Sequence, residues 1–88
     1  MIVLYDRSFL KDISKINDKK VLLSIETCIL EFKKAENIRE ISNVKKLKAN
    51  KTAYRIKIGL YRLGFYLNED KIELTRFLHR KEIYRFFP

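Results

Sequence analysis

The alternation of apolar and basic side chains after residue 52 constrains the fold more than any other feature of the sequence. Tyr54, Ile56 and Ile58 occupy every second position, and Arg55 and Lys57 lie between them. A period of two is typical of a β-strand, in which successive side chains point to opposite faces of the sheet. The pattern therefore predicts a strand with one apolar face and one basic face.

Two turns divide the following residues into further strands. Gly59-Leu60 is predicted to be a tight turn before a second strand at Tyr61–Leu67. Asn68–Asp70 is predicted to close a second hairpin, and Lys71–Leu78 is rich in residues that favour a pleated sheet. The region thus predicts three consecutive strands joined by hairpins.

The N-terminal half has the helical period instead. Ile2–Tyr5 is expected to form a buried first strand, and Asp6 or Ser8 to cap the helix that follows it. Apolar residues at helical spacing predict a short helix that stops at Asn17-Asp18 and a second helix from about Asp18 to Ala35. The apolar stripes are Phe9, Ile13 and Ile16 in the first helix, and Leu22, Ile25, Ile29 and Phe32, widened by Val21 and Cys28, in the second.

The segment between the two halves is polar. Glu36–Asn43 is predicted to be a loop, and Val44–Lys48 a short strand or a sheet edge. No repeat or low-complexity tract interrupts the chain, so residues 1–88 are expected to form a single domain. Cys28 has no second cysteine to pair with, and its place in an apolar stripe predicts a buried core residue rather than a metal ligand.

The basic residues are concentrated in the C-terminal half. The formal net charge is +9; residues 1–44 hold eight Lys and Arg against seven Asp and Glu, whereas residues 45–88 hold twelve against four. Such a surface suits a polyanion or an acidic partner protein, and the alternative is a merely solubilising surface. No long apolar run and no signal peptide is seen, so we expect no membrane role and a cytoplasmic location.

The predicted sheet brings some of these cations together. If neighbouring strands place their polar sides on one face, Arg55, Lys57 and Arg62 gather there, with Tyr66 and Tyr84 as candidate stacking platforms. Arginines that hold phosphates and aromatic rings that stack on bases are typical of binding to single-stranded RNA. The alternative is that these cations are only the solvated side of a sheet with one buried face.

The segment Phe77–Arg85 contains the only histidine of the chain. Around His79 lie basic and phenolic side chains: Arg80, Lys81, Tyr84 and Arg85. A titratable ring beside fixed positive charges can transfer protons next to a phosphate, although a lone histidine is more often structural. The two phenylalanines that follow, Phe86 and Phe87, are expected to be buried by the fold or by a partner.

Three stretches resemble a known family. Tyr54–Leu63 resembles the tyrosine–arginine, glycine, tyrosine–arginine pattern of the RelE/ParE toxin superfamily, and His79–Tyr84 resembles the closing motif of its RelE branch. Phe9–Ile13, followed by a helical hairpin, is also similar. The resemblance implies an α+β fold in which an N-terminal strand and a helical hairpin pack on a twisted, mainly antiparallel β-sheet.

The resemblance also implies a function. RelE-like members are toxins of type II toxin–antitoxin systems and act as mRNA interferases, endoribonucleases that cut mRNA in the ribosomal A site. The 2′-OH attacks the adjacent phosphodiester without metal or other cofactor and leaves a 2′,3′-cyclic phosphate. The implied partners are a cognate acidic antitoxin protein, mRNA in the A site and rRNA, with no membrane.

The residue roles that the resemblance implies are as follows. Arg62 would hold the scissile phosphate, and Arg55 or Lys57 would bind phosphate or assist the 2′-OH. Arg80 would be a second phosphate contact, Tyr84 a stacking and proton-transfer residue, and His79 a general acid or base. The full set expected to bind RNA is Arg55, Lys57, Arg62, Tyr66, Arg80, Lys81 and Arg85.

Two other functions remain open at this point. One is a ParE-like role as a non-enzymatic inhibitor of DNA gyrase, and the other is an RNA-binding module or degenerate toxin without activity. On the RelE-like hypothesis, Arg62→Ala and His79→Ala are each expected to relieve growth arrest without unfolding the chain.

Overall fold

Five strands and three helices make up the computed structural model, which describes residues 1–88. In chain order they are β1 (Ile2–Tyr5), α1 (Arg7–Ser14), α2 (Lys19–Lys34), β2 (Val44–Lys46), β3 (Ala53–Ile58), β4 (Tyr61–Asn68), β5 (Lys71–His79) and α3 (Ile83–Phe86). A 3₁₀ turn at Ile38–Glu40 lies between α2 and β2. No helix has the length and apolar character needed to span a membrane.

The strands form one sheet in the order β1-β5-β4-β3-β2. β1 runs parallel to β5, and every other neighbouring pair is antiparallel. The expected α+β fold with a mainly antiparallel sheet is therefore confirmed. The short strand at the start of Val44–Lys48 is confirmed too, and it forms one edge of the sheet.

The hairpins lie where the sequence predicted them. Gly59 has a φ of 58°, a backbone conformation that glycine adopts without the steric cost of a side chain. This turn sets the register in which Lys57 faces Arg62 across β3 and β4. The order of cations along the two strands therefore depends on the short turn.

One face of the sheet is covered by α1 and α2 and is called the helix face below. Its core contains fully buried residues from both helices and from two strands, β4 and β5: Phe9, Phe32, Leu63, Phe65, Ile72 and Leu74. Burial of each such side chain contributes about 1.5–3 kcal/mol. The predicted apolar alternation in β3 and β4 therefore reflects packing against the helical hairpin.

Three expectations about the N-terminal half are wrong. β1 is not buried, because it pairs with only one neighbour at the sheet edge, and Ile2 and Leu4 are 48% and 45% exposed. Leu22 is also exposed, so the buried stripe of α2 runs through Ile25, Cys28 and Phe32 instead. Neither Asp6 nor Ser8 caps α1 with its side chain.

Helix α1 acts as a substitute for a neighbouring strand along the end of β5. Beyond the short β1, the Ser8 hydroxyl donates to the Thr75 carbonyl at 2.7 Å. Asp12 Oδ2 accepts from the Phe77 amide at 2.9 Å and from Arg76 Nε at 2.8 Å, while its Oδ1 accepts from Arg76 Nη2 at 3.1 Å. These side chains satisfy backbone groups that an edge strand would leave unpaired.

The opposite face of the sheet, called the open face below, is covered only in part. Ile83 and Phe87 are buried there against Ala53, with Tyr66 and Leu78 packed around them. The basic part of the open face is therefore limited to the area beside the C-terminal segment, which covers the middle of the face. Phe87 is 2% exposed and Phe86 is 52% exposed, so burial by the fold is confirmed for Phe87, while burial of Phe86 by a partner stays a prediction.

Asp12→Ala is expected to lower the free energy of unfolding by about 2–3 kcal/mol, since it leaves the buried Phe77 amide and the Arg76 guanidinium without their acceptor. Urea denaturation measures the change. Glu26→Ala is the matched control, because Glu26 is an exposed helical carboxylate. Equal stability of the two variants would contradict this role of Asp12.

Cys28 is expected to resist thiol reagents in the folded protein. Burial, with a smaller contribution from the charge of Glu31, raises the pKa of the Cys28 thiol from 9.0 to about 12. The thiol therefore stays protonated at neutral pH, and the stability associated with it is lost as the pH rises from about 9 towards 12. Mass spectrometry after alkylation should show no adduct in native protein and one adduct in concentrated guanidinium chloride. Rapid native labelling would contradict the buried position.

Candidate functional site

A depression of about 270 Å³ lies on the open face beside the C-terminal segment. It is lined by six residues: Asn43, Lys45, Arg55, Lys57, Arg62 and Tyr84. Four of them are cations, and none is acidic. We call this depression the cationic cleft.

The strand register explains why these cations meet. Lys45 of β2 pairs with Arg55 of β3, and Lys57 of β3 pairs with Arg62 of β4. Directly opposed like charges destabilise a sheet by a few tenths of a kcal/mol to about 1 kcal/mol. Three neighbouring strands therefore place like charges side by side, an arrangement that an anion would stabilise.

No carboxylate neutralises the cleft. The only salt bridge in the structure joins Arg76 to Asp12, and neither residue lines the cleft. The side chains of Lys45 and Lys57 are exposed, while those of Arg55 and Arg62 are half-buried. The cleft therefore combines a concentrated positive charge with partial shielding from water, which strengthens its attraction for a polyanion.

Arg62 is held in place by the main chain of the β3–β4 turn. Its Nη1 donates to the Gly59 carbonyl at 3.1 Å and to the Tyr61 carbonyl at 2.9 Å. A guanidinium has five N–H donors, so these bonds orient the group and leave other donors free for a phosphate. The predicted Arg62 site is thus already ordered without a ligand.

Tyr84 forms the aromatic wall of the cleft. The Arg55 guanidinium carbon lies 4.7 Å from the centroid of the Tyr84 ring, within the range of a cation–π contact. The Tyr84 residue is 73% exposed, so it remains accessible to a partner. An exposed ring next to several cations suits a nucleotide, which carries both a planar base and a negative charge.

The structure does not bring His79 into the cationic cleft. His79 pairs with Tyr61, whereas its neighbour Leu78 pairs with Arg62, so His79 and Arg62 lie on opposite faces of the sheet. The His79 ring contacts Tyr61 at a centroid distance of 6.0 Å, and its Nδ1 accepts from the Lys81 amide at 3.2 Å. His79 therefore does not share the cleft with Arg62, because consecutive residues of a strand point in opposite directions.

His79 lies instead in a second depression, of about 470 Å³, at the end of β5 near α1. The charged side chains there are mixed in sign: Asp12, Lys15, Arg76 and Glu82. Asp12 and Arg76 already neutralise each other. This depression therefore lacks the excess of positive charge that distinguishes the cationic cleft.

The other residues expected to bind RNA lie around the cleft rather than in it. Arg80, Lys81 and Arg85 are exposed and do not line it, although the Arg80 amide donates to the Leu60 carbonyl at 2.8 Å, beside the turn that holds Arg62. Tyr66 packs against Phe87 at a centroid distance of 5.1 Å, so one side of its ring is occupied.

Asn43 and Lys45 are lining residues that the sequence analysis did not select. Lys45 lies in a strand of only three residues, Val44–Lys46, which is too short to show a clear period. Asn43 has a φ of 62°, a conformation for which asparagine is the most suitable residue after glycine. No group of three or more His, Cys, Asp or Glu side chains is arranged to hold a metal ion.

The fold and sequence are similar to those of known proteins. The family described as ParE toxin of type II toxin–antitoxin system, parDE, matches residues 3–84. Toxin RelE3 of Methanocaldococcus jannaschii is 36% identical over 92 aligned residues, which cover all of both chains.

Solved structures of other proteins have the same fold as this chain. A chain of the RelB–RelE antitoxin–toxin complex from Methanococcus jannaschii superposes with a TM-score of 0.83 at 33% identity, over 97% of this chain and 99% of that chain. The YoeB dimer from Staphylococcus aureus shares the fold at a TM-score of 0.73 and 18% identity, over 91% of this chain and 97% of that chain.

The repulsion within the cleft predicts a salt-dependent stability. Lys57→Gln should raise the thermal midpoint at low ionic strength, with a gain of about 0.5 kcal/mol, because it removes the charge opposite Arg62. The gain should vanish in concentrated salt, which screens the repulsion. Lys51→Gln is the control, since Lys51 is exposed and lies outside the cleft. An identical salt profile for both variants would contradict the repulsion.

Proposed function

The chain belongs to the ParE toxin family of type II toxin–antitoxin systems and is close to RelE toxins, and from this premise we propose that it is a ribosome-dependent mRNA endoribonuclease. The observation that carries the proposal is the cationic cleft, in which four unpaired cations and an exposed aromatic ring share one depression. Its proposed substrate is mRNA in the ribosomal A site, and its proposed location is the cytoplasm.

The cleft residues fit the charge that develops during RNA cleavage. When the ribose 2′-oxygen attacks the adjacent phosphorus, the bond from phosphorus to the 5′-oxygen breaks, and negative charge accumulates on the phosphoryl oxygens. Arg62 and Arg55 donate hydrogen bonds to these oxygens, and such donors stabilise a transition state by several kcal/mol when they are held in place beforehand. The carbonyl contacts of Arg62 provide that preorganisation.

The proton transfers of the proposed reaction are assigned to the groups of the cleft other than the two arginines. The 2′-OH loses a proton as it attacks, and the departing 5′-oxygen gains one, so the products are a 2′,3′-cyclic phosphate and a 5′-OH. Arginine keeps its proton throughout, which leaves Lys57, Lys45 and the Tyr84 hydroxyl as the groups in the cleft that can exchange one. No metal or other cofactor takes part in this proposed reaction.

Tyr84 has a second proposed role in substrate placement. Stacking of a base on an aromatic ring contributes about 1–3 kcal/mol and tolerates every base. A base stacked on Tyr84 would place its sugar and phosphate over the cations of β3 and β4. Arg80, which lies beside the same turn as Arg62, is placed to contact a neighbouring phosphate of mRNA or rRNA.

A cognate acidic antitoxin is the proposed protein partner. The similar chain from Methanococcus jannaschii comes from a complex of toxin with antitoxin. In the present chain, large apolar residues remain exposed on the outer side of α2 and on β1: Leu4, Tyr5, Leu22, Leu23 and Leu30. Apolar patches rimmed by charge mark protein interfaces, and the net charge of +9 favours an acidic partner.

Inhibition of DNA gyrase, as a non-enzymatic activity, is the second candidate. It is favoured by one observation, since the matching family is named for the parDE system. The two candidates differ in what happens to mRNA. Primer extension on a reporter mRNA after brief induction should reveal cuts inside codons that disappear when the start codon is removed. Growth arrest with intact mRNA would reject the nuclease in favour of a protein target.

Arg62→Ala is expected to relieve growth arrest and to lower mRNA cleavage by a factor on the order of 100 to 1,000, since it removes a held donor to the phosphate. The same primer extension assay, with quantified band intensities, measures the loss. Arg39→Ala is the control, because Arg39 is an exposed arginine that does not line the cleft. Cleavage retained in Arg62→Ala would reject the cationic cleft as the active site.

The assay also tests His79, which the family resemblance places in the catalytic set. A loss in His79→Ala comparable to that in Arg62→Ala would support an acid–base role despite the position of His79 on the helix face. Retained cleavage would remove His79 from the reacting groups, as its register with Tyr61 leads us to expect. Circular dichroism of both variants checks that they remain folded.

A further inference from the structure

The Phe87 ring packs on the open face directly against Gly64 of β4, in a space that we call the socket. Only a glycine at position 64 leaves room for the ring. A Cβ atom added at Gly64 would lie 2.5 Å from Phe87 Cδ2 and 2.6 Å from its Cγ, which is closer than real Cβ atoms approach other groups. The Phe87 residue is 2% exposed, and Tyr66 borders it from the same strand as Gly64. The ring therefore rests directly on the backbone of β4.

Helix α3 depends on this contact. It spans only the four residues Ile83–Phe86, and the Phe87 amide donates to the Ile83 carbonyl at 2.9 Å. A single turn is not stable alone in water, because nucleation of a helix costs more than one hydrogen bond returns. Its position is fixed by two buried side chains, that of Ile83, its first residue, and that of Phe87, the residue after its end.

Tyr84 lies between these two anchors and has little else to hold it. The residue is 73% exposed, and its ring makes a cation–π contact with Arg55 of the cationic cleft. A cation–π contact at the surface is too weak to fix a side chain by itself. The placement of the Tyr84 ring over Arg55 therefore follows from the seating of the turn that carries it.

We propose that Phe87, seated on Gly64, is a positioning residue that holds Tyr84 over Arg55 in the cationic cleft. This inference rests on the proposed nuclease function, because it assigns the way in which one of the cleft residues is oriented. Phe87 itself lines neither the cleft nor any surface that RNA reaches, and it acts only through Tyr84.

The first experiment tests the socket itself. Gly64→Ala should lower the thermal midpoint in the wild-type background, because the new methyl group collides with the Phe87 ring. The same substitution should have little effect in a Phe87→Ala background, where the collision is absent. An equal shift in both backgrounds would overturn the socket, since the cost would then come from the strand alone.

The second experiment tests the link to Tyr84 with a double-mutant cycle in a translation reaction containing ribosomes and a defined mRNA. Phe87→Ala should lower the cleavage rate constant at saturating protein by a factor on the order of 10 to 100, as expected when a reacting group is displaced. In a Tyr84→Ala background it should cause no further loss. Additive losses would overturn the proposal, because a merely structural role does not depend on Tyr84.

Phe86→Ala is the matched control. It removes a phenylalanine from the same turn, but this side chain is 52% exposed and contacts Arg76 rather than the socket. Its cleavage rate constant should equal that of the unmodified chain. A loss as large as that of Phe87→Ala would overturn the specific role of Phe87. Phe87→Leu, which refills much of the socket, should recover part of the rate.

A measurement without RNA separates this proposal from the proposed function. In the free protein, NMR should show contacts between the Tyr84 ring and the Arg55 side chain that disappear in Phe87→Ala. Their disappearance supports the positioning role even if the unmodified chain cleaves no mRNA, in which case only the proposed function fails. Their persistence in Phe87→Ala overturns the positioning role even if the chain is a nuclease.

Discussion

The alternation of side chains across β3, β4 and β5 is the constraint on which the rest of the structure depends. Successive residues of a strand cannot share a face, so the apolar residues that reach the helical hairpin force their neighbours onto the open face. The cationic cleft therefore results from the packing of Ile56 and Leu63, because Lys57 and Arg62 occupy the adjacent positions. The same alternation places His79 with Phe77 on the helix face.

Much of this arrangement follows from the sequence. The strands, the Gly59 turn, the helical hairpin and the gathering of Arg55, Lys57 and Arg62 on one face were all predictable, because each is a local period or a turn signal. The resemblance to the RelE/ParE superfamily is likewise confirmed. The face of the sheet on which His79 lies was harder to predict. The β4–β5 register shifts at Gly64 and Phe65, and this bulge reverses which residues of β5 face the core.

The conformation of the C-terminal segment could not be predicted from local sequence patterns. A helix of four residues has no period, and the burial of Phe87 but not Phe86 is decided by the one residue of β4 that lacks a side chain. Gly64 appears in the sequence only as a weak point in a strand. The reason for a glycine at position 64 is its contact with the Phe87 ring, more than twenty positions away in the sequence. Composition and local spacing do not predict such a long-range contact.

The cleft also explains why a fold this small can serve a toxin. Its cations contribute nothing to the core and repel one another, so this part of the open face is destabilising until an anion occupies it. A bound polyanion, such as the RNA backbone of the proposed substrate, would relieve this repulsion, so binding at the cleft and stability of the fold are expected to rise together.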